Sequence, residues 1–240
     1  MTEKDQNPGN AKPQLGSQPD YAELELSAPG SSVPGSSAPS HNKPSHHGWY
    51  SRGYLPHLDV PDILQFITFR LADSLPQTIL KQLELELLQV PVSIRERERR
   101  KKIEHWLDAG LGCCALGHPL VADLMQETLQ LFDGERYRLI AWCVMPNHVH
   151  VLIEPIFRLP KILQSWKSFT GRWAMANNTK LGLGIPGTPF WMREYWDRYI
   201  RDEAHFYSTI NYIHNNPVKA KLCAAPSDWP WSSAYIGDND

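Results

Sequence analysis

Apolar positions along the chain change their period several times, and each change marks an element. Residues 63–71 (ILQFITFRL) are rich in β-branched and aromatic side chains and predict a strand. Ser74-Leu75-Pro76 then opens a helix in which Ile79, Leu80, Leu83, Leu87 and Leu88 recur at helical spacing up to the break at Pro91. Residues 95–102 (RERERRKK) predict the solvated face of a further helix reaching Trp106, with a phosphate contact as the competing reading. After the loop GLGCCALGHP, residues 119–132 return to helical spacing through Val121, Leu124, Met125, Thr128, Leu129 and Phe132, and Asp133-Gly134 ends that helix. YRLIAWCVM and HVHVLIEP flank a tight turn at Pro146-Asn147 and predict an antiparallel hairpin. Residues 159–177 read as a helix with Ile162, Leu163, Trp166, Phe169 and Trp173 as its apolar positions. A Gly/Pro loop, the aromatic segment FWMREYWDRYI and a last helix from about Asp202 to Asn216 follow. This order predicts an α+β sandwich, an antiparallel sheet with helices packed on one face.

Composition changes the picture at the N-terminus. Pro, Gly and Ser supply 20 of residues 1–48, too little apolar surface to offset chain entropy, so a disordered tail is expected there and a globular domain over 49–240. His41, His46 and His47 in that tail are read as incidental rather than as a metal site. The formal charge is −2 for 240 residues, so affinity for a polyanion would have to come from where charge sits. Cys113, Cys114, Cys143 and Cys223 include no C-x-x-C and suggest a reducing compartment rather than a disulfide framework. No apolar run is long enough to span a bilayer and the N-terminus lacks an export signal, so a soluble, cytoplasmic protein without membrane contact is expected.

His148-Val149-His150 lies inside a strand, so both imidazoles project to one side while Val149, Val151 and Ile153 project to the other. Two imidazoles side by side can hold a divalent metal; equally, they can decorate the wet face of a hairpin. A nucleotide hydrolase with a third alternating histidine would need it at position 152, where this chain has Leu152. Glu154 is expected to cap the strand or pair with a basic neighbour. On the last helix, Phe206, Ile210 and Ile213 form the predicted buried stripe, whereas His205, Tyr212 and Asn216 cluster about 100° around the helix from it. Tyr212 is then either a polar-face phenol, with Asn216 as a third metal ligand, or a half-buried aromatic packed on the sheet. Asn216 precedes Pro217, which predicts that the helix ends there.

MPNHVHVLIEP, WKSFTGRW, FWMREYWDRYIRDE, YIHNNPVKA and DWPWSSA, in that order, resemble the REP-associated branch of the HUH single-tyrosine transposases, from about Gly48 to the C-terminus. The resemblance implies a ferredoxin-like catalytic domain in which His148 and His150 bind Mg²⁺ or Mn²⁺, Asn216 is the third ligand and Tyr212 is the nucleophile. It also implies nicking and strand transfer on single-stranded, hairpin-forming repeats through a 5′-phosphotyrosine, by a monomer or homodimer. The alternatives are a domesticated repeat-hairpin DNA-binding protein without turnover, and a metal-dependent hydrolase of small phosphate esters that would use water. Tyr195, Tyr199 and Tyr207 rank behind Tyr212 because none has a carboxamide four residues later. No general base is assigned, since His214 points away from Tyr212 and His205 lies two turns off. Residues 158–201 carry eight basic and two acidic side chains interleaved with aromatics, a mixture suited to phosphate contacts and base stacking. Lys167, Arg172, Arg193, Arg198 and, after the last helix, Lys219 are the expected DNA contacts.

Overall fold

A computed structural model describes residues 48–51, 56–187 and 189–237. Apart from Gly48, the expected tail, with its three histidines, lies outside the described residues. Strands β1 (Gly48–Ser51) and β2 (Pro56–Asp59) pair as a two-stranded ribbon that the sequence pattern did not announce. Next come β3 (Gln65–Arg70), α1 (Gln77–Leu88), α2 (Val92–Asp108), α3 (Pro119–Gln130), β4 (Tyr137–Val144), β5 (His148–Pro155), α4 (Leu159–Leu181), β6 (Trp196–Tyr199) and α5 (Glu203–Lys219). The main sheet has the order β4-β5-β3-β6 with every neighbouring pair antiparallel. Setting aside the α1–α2 pair, β3-α3-β4-β5-α4-β6 in this order is the ferredoxin-like arrangement.

The alternation of β3 and β5 sorts their side chains onto two different surfaces. Ile67, Phe69, Val149, Val151 and Ile153 are buried against Met125 and Leu129 of α3 and Ile162 and Trp166 of α4. The aromatic polar handles in that layer are satisfied: the Trp166 indole donates to the Tyr137 hydroxyl at 3.0 Å, which donates to the Leu129 carbonyl at 2.7 Å. At Gly171 α4 comes so close to the 190–191 segment that an added Cβ would sit 3.3 Å from the Trp191 ring. The other surface carries Phe66, Thr68, His148, His150 and Leu152 and receives α5 through Ile213, Ile210, Phe206 and Tyr212. Helices therefore cover both faces: the expectation of one covered face holds for α3 and α4, while α5 takes the opposite side because its own stripe matches Ala141, Cys143 and Leu152.

Helices α1 and α2 close on each other through Leu83, Leu87, Ile103 and Leu107, and Trp196 of β6 packs on this cluster. Glu84 pairs with Arg99 and Glu86 with Lys102 across the pair. Asp59 of the ribbon acts at a distance as the cap of α4: it accepts the Leu159 amide at 3.0 Å and lies 3.4 Å from Arg158. Arg158, at the N-cap position itself, supplies no capping side chain. Among the described residues no helix is long and apolar enough to cross a membrane.

Candidate active site

The hairpin turn orients the two histidines. Asn147 is buried and its Nδ2 donates to the Leu111 carbonyl at 3.0 Å, which sets the amide so that Oδ1 faces His148 Nδ1 at 2.7 Å. A carbonyl oxygen only accepts, so His148 carries its proton on Nδ1 and leaves Nε2 bare. His150 Nδ1 meets the Thr68 hydroxyl at 2.8 Å, from the residue opposite it in β3. The two Nε2 atoms converge at 3.0 Å. Burial, with Lys219 adding to it, pulls His148 down to about 3. His150 is held well below its ordinary value by burial, by His148 and by Lys219. Both imidazoles are thus neutral near pH 7, the form that ligates metal.

The Tyr212 ring meets the ring of His150 edge-on at 5.3 Å and that of Phe66 at 5.7 Å. Its hydroxyl is enclosed, and neither it nor the amide atoms of Asn216, one turn on, make a hydrogen bond of ordinary geometry among the described residues, although the two side chains lie close enough for the amide to favour the ionised phenol. The expected polar face is therefore turned inward: Thr209, Asn216 and Pro217 are buried with Ile213, and the angle read from an ideal repeat misplaced this side of the helix. The helix also runs past Asn216 to Lys219 with Pro217 inside it, and the Ala220 amide closes on the Asn216 carbonyl at 2.9 Å. Pro217 removes a donor from the last turn only, where the helix is about to end.

Helix α2 stands over this site, which no local pattern announced. Burial raises the Tyr212 phenol far above its usual value, and the nearby carboxylates Glu104 and Asp108 push the same way while Asn216 opposes. Asp108 is paired at 2.6 Å with Lys219, whose ammonium lies 5.9 Å from the Tyr212 ring centre. Glu104 is itself raised, chiefly by burial and further by Asp108, against Lys219, Arg100 and Arg198.

The expected DNA contacts separate into two groups. Arg198 lines a cavity of ≈ 590 Å³ on the α5 side of the sheet, and Lys219 ends α5 beside Tyr212. Lys167, Arg172 and Arg193 line a groove of ≈ 910 Å³ between α4 and residues 189–195. There the Lys167 ammonium donates to the Arg193 carbonyl at 2.9 Å. Tyr195 is buried and bonds the Tyr50 hydroxyl at 2.8 Å, and Tyr199 and Tyr207 are exposed. His205 accepts the Arg201 amide at 3.3 Å and His214 meets the Ser233 hydroxyl at 2.9 Å, so both are engaged away from Tyr212. Glu154 pairs with Arg138, as expected for a basic neighbour.

His148 Nε2, which accepts from His150 Nε2, the His150 Nε2 itself once its proton moves to Nδ1 opposite the Thr68 hydroxyl, and a buried carboxamide make an N,N,O donor set. An unpaired buried amide ordinarily costs about 1–3 kcal/mol, so Asn216 is built for a partner. Among the described residues no group of three or more His, Cys, Asp or Glu could hold an ion. A cation here would rely on Asn216 and on oxygens from substrate or solvent. That set fits a borderline ion such as Mn²⁺ better than Mg²⁺, which favours oxygen throughout.

Residues 118–216 match the family model described as "Transposase IS200 like". That segment, 41% of the chain by length, is similar to the IS200-like transposases. An Escherichia coli REP-associated tyrosine transposase is 29% identical over 100 residues, covering 41% of this chain and 55% of that protein. A Haemophilus influenzae protein provisionally given the same name is 26% identical over 107 residues, covering 41% of this chain and 60% of that protein. The chain thus spans 55–60% of the length of these relatives. A solved structure described as a REP-associated tyrosine transposase bound to a REP hairpin aligns at 16% identity and a TM-score of 0.46, over 78% of this chain and 93% of that one. The names of the two sequence relatives agree with the resemblance read from the motifs. The IS200-like segment contains Asn147, His148, His150, Tyr212 and Asn216, whereas α1, α2 and Lys219 fall outside it.

Proposed function

We propose that the domain of residues 49–240 is a transposase that nicks and rejoins single-stranded, hairpin-forming DNA repeats through Tyr212. The observation that carries this reading is the meeting of the Tyr212 ring, the two Nε2 atoms of His148 and His150, and an unpartnered buried Asn216 on one face of the sheet. The IS200-like match and the names of the relatives support it. His148, His150 and Asn216 would hold Mn²⁺ or Mg²⁺, which when bound polarises the scissile phosphate and eases ionisation of a nearby phenol. The Tyr212 oxygen gives up its proton, forms a bond to phosphorus on the 5′ side and expels the 3′-oxygen, which leaves as a hydroxyl. The phosphotyrosine retains the energy of the broken phosphodiester, so a second 3′-hydroxyl can attack it, displace Tyr212 and rejoin strands without ATP. Lys219 and Arg198 would meet phosphates beside the reacting group. Lys167, Arg172 and Arg193, on the far side of the sheet, would contact a more distant part of the DNA.

The second reading, a hairpin-binding protein without turnover, is favoured by the enclosed Tyr212 hydroxyl and by the Asp108–Lys219 pair beside it. Incubating labelled single-stranded hairpin DNA with protein and Mn²⁺ and running a denaturing gel separates the readings. Transposition chemistry gives a slow-migrating covalent adduct that Tyr212→Phe abolishes while leaving binding intact. A retained complex that yields no adduct supports the binding protein, and a cleaved product without adduct supports a water-using hydrolase.

A further inference from the structure

The basic run 95–102 divides by function once folded. Arg99 and Lys102 are taken by Glu84 and Glu86 of α1, and Arg95 donates to the Val90 carbonyl at 3.0 Å. Arg97, Arg100 and Lys101 remain, three and four residues apart on one side of α2, and all three line the ≈ 590 Å³ cavity with Arg198. Among the described residues Arg100 has the 3.9 Å contact with Glu96 as its one ion pair. The floor of the cavity is Phe66 and Thr68, the side chains that touch His150 and Tyr212, and Trp196 forms a wall.

The cavity's acids offset Arg100 in part and leave Arg97 and Lys101 without an ion pair among the described residues. Asp197 holds His57 at 2.5 Å and the Leu58 amide at 2.9 Å on the other side of its strand. Glu96 is engaged by Arg99 and Arg100. Glu104 lies one turn beyond Arg100, between the cations and the Asp108–Lys219 pair, so along α2 the charge changes from basic at Arg97, Arg100 and Lys101 to two carboxylates against one ammonium next to Tyr212.

We propose that the cleft between α2 and β6 is the track for the single-stranded DNA that runs up to Tyr212, with Arg97, Arg100 and Lys101 on its phosphates and Trp196 and Phe66 beneath its bases. Cations along a backbone path combined with aromatic platforms are what sequence-tolerant single-strand binding requires. This rests on the transposase reading and adds a strand path built by an element outside the IS200-like segment.

The test is fluorescence anisotropy of a labelled single-stranded 20-mer with the full chain, over a series of salt concentrations. Removing two phosphate contacts lowers the slope of log K against log salt by about 1.4 for single strands. Arg97→Gln/Lys101→Gln should show that loss and weaken binding by about tenfold at 0.1 M salt. Arg97→Lys should retain the slope, and Lys81→Gln/Lys180→Gln, with as much charge removed elsewhere, should change neither quantity. Wild-type binding with an unaltered slope in Arg97→Gln/Lys101→Gln overturns the track and leaves the transposase reading standing. Equal slope loss on a duplex of the same sequence overturns the single-strand assignment. Failure of the wild-type chain to bind DNA overturns both.

Discussion

The two faces of the central sheet are built from alternate residues of the same strands, yet they follow opposite rules. The α3/α4 face is dry, and its Trp and Tyr polar atoms find partners. The α5 face buries two histidines, a phenol oxygen and a carboxamide, three of whose polar atoms have no partner of ordinary geometry among the described residues. One face carries most of the apolar core, with Gln65 Oε1 and His118 Nδ1 as its buried side-chain atoms lacking a partner among the described residues; the other concentrates three such atoms on Tyr212 and Asn216.

Substitutions on each face should break this contrast or sharpen it. Trp166→Ala on the dry face should lower unfolding free energy by about 3–5 kcal/mol, read by denaturant melts, and any loss of nicking should track the fraction unfolded. Asn147→Ala, which releases the His148 tautomer, should reduce nicking about 10–100-fold at saturating protein stability, with single-turnover kinetics as the readout. A reduction no greater than its effect on folding would show that the turn serves structure alone. Asn216→Leu should abolish nicking while raising unfolding free energy by about 1 kcal/mol, because it replaces an unpaired buried amide with an apolar group of similar volume. A destabilised Asn216→Leu would mean that the amide has a partner in the resting protein.

The smallest effect is on pH dependence. His148, at about 3, and His150 refuse protons that the unfolded chain binds below its ordinary value of 6.5, so stability is lost as pH falls from about 6.5 toward 3. His57 behaves oppositely. Burial works against its charge, but Asp197 and Glu194 outweigh burial and raise it, so its contribution is present below 6.5 and fades as pH climbs through the raised value. Thermal melts should peak near neutrality, and His57→Gln should flatten only the alkaline limb.

The difference between the faces also decided what could be read from the chain. Ile67, Phe69, Val149, Val151 and Trp166 announce themselves by period alone, because burial of apolar surface is what the period encodes. His148, His150 and Tyr212 were legible as residue types in a strand and a helix. Their surroundings were not: Asn147 reads as an ordinary turn residue, and Thr68 as one strand position among several. Glu104, Asp108, Arg97 and Lys101 reach the site only because the α1–α2 pair folds back over it, a long-range fact with no local signature. The β1–β2 ribbon is too short to show a period, and the buried His57 and Asp59 that anchor it look like loop polar residues. On α5, the ideal 100° step left Tyr212 open between a polar-face phenol and a half-buried aromatic on the sheet; the structure has the second, with Asn216 fully buried one turn on.

The claim at the centre is that one phenol and two imidazoles serve the same cation. Mass spectrometry of the trapped DNA–protein adduct, digested and mapped with and without Mn²⁺, tests it most directly. The account predicts a Mn²⁺-dependent nucleotide-bearing peptide modified at Tyr212, lost in His150→Ala. An adduct on another residue, or one that forms on Tyr212 equally well without a divalent ion and in His150→Ala, would contradict it.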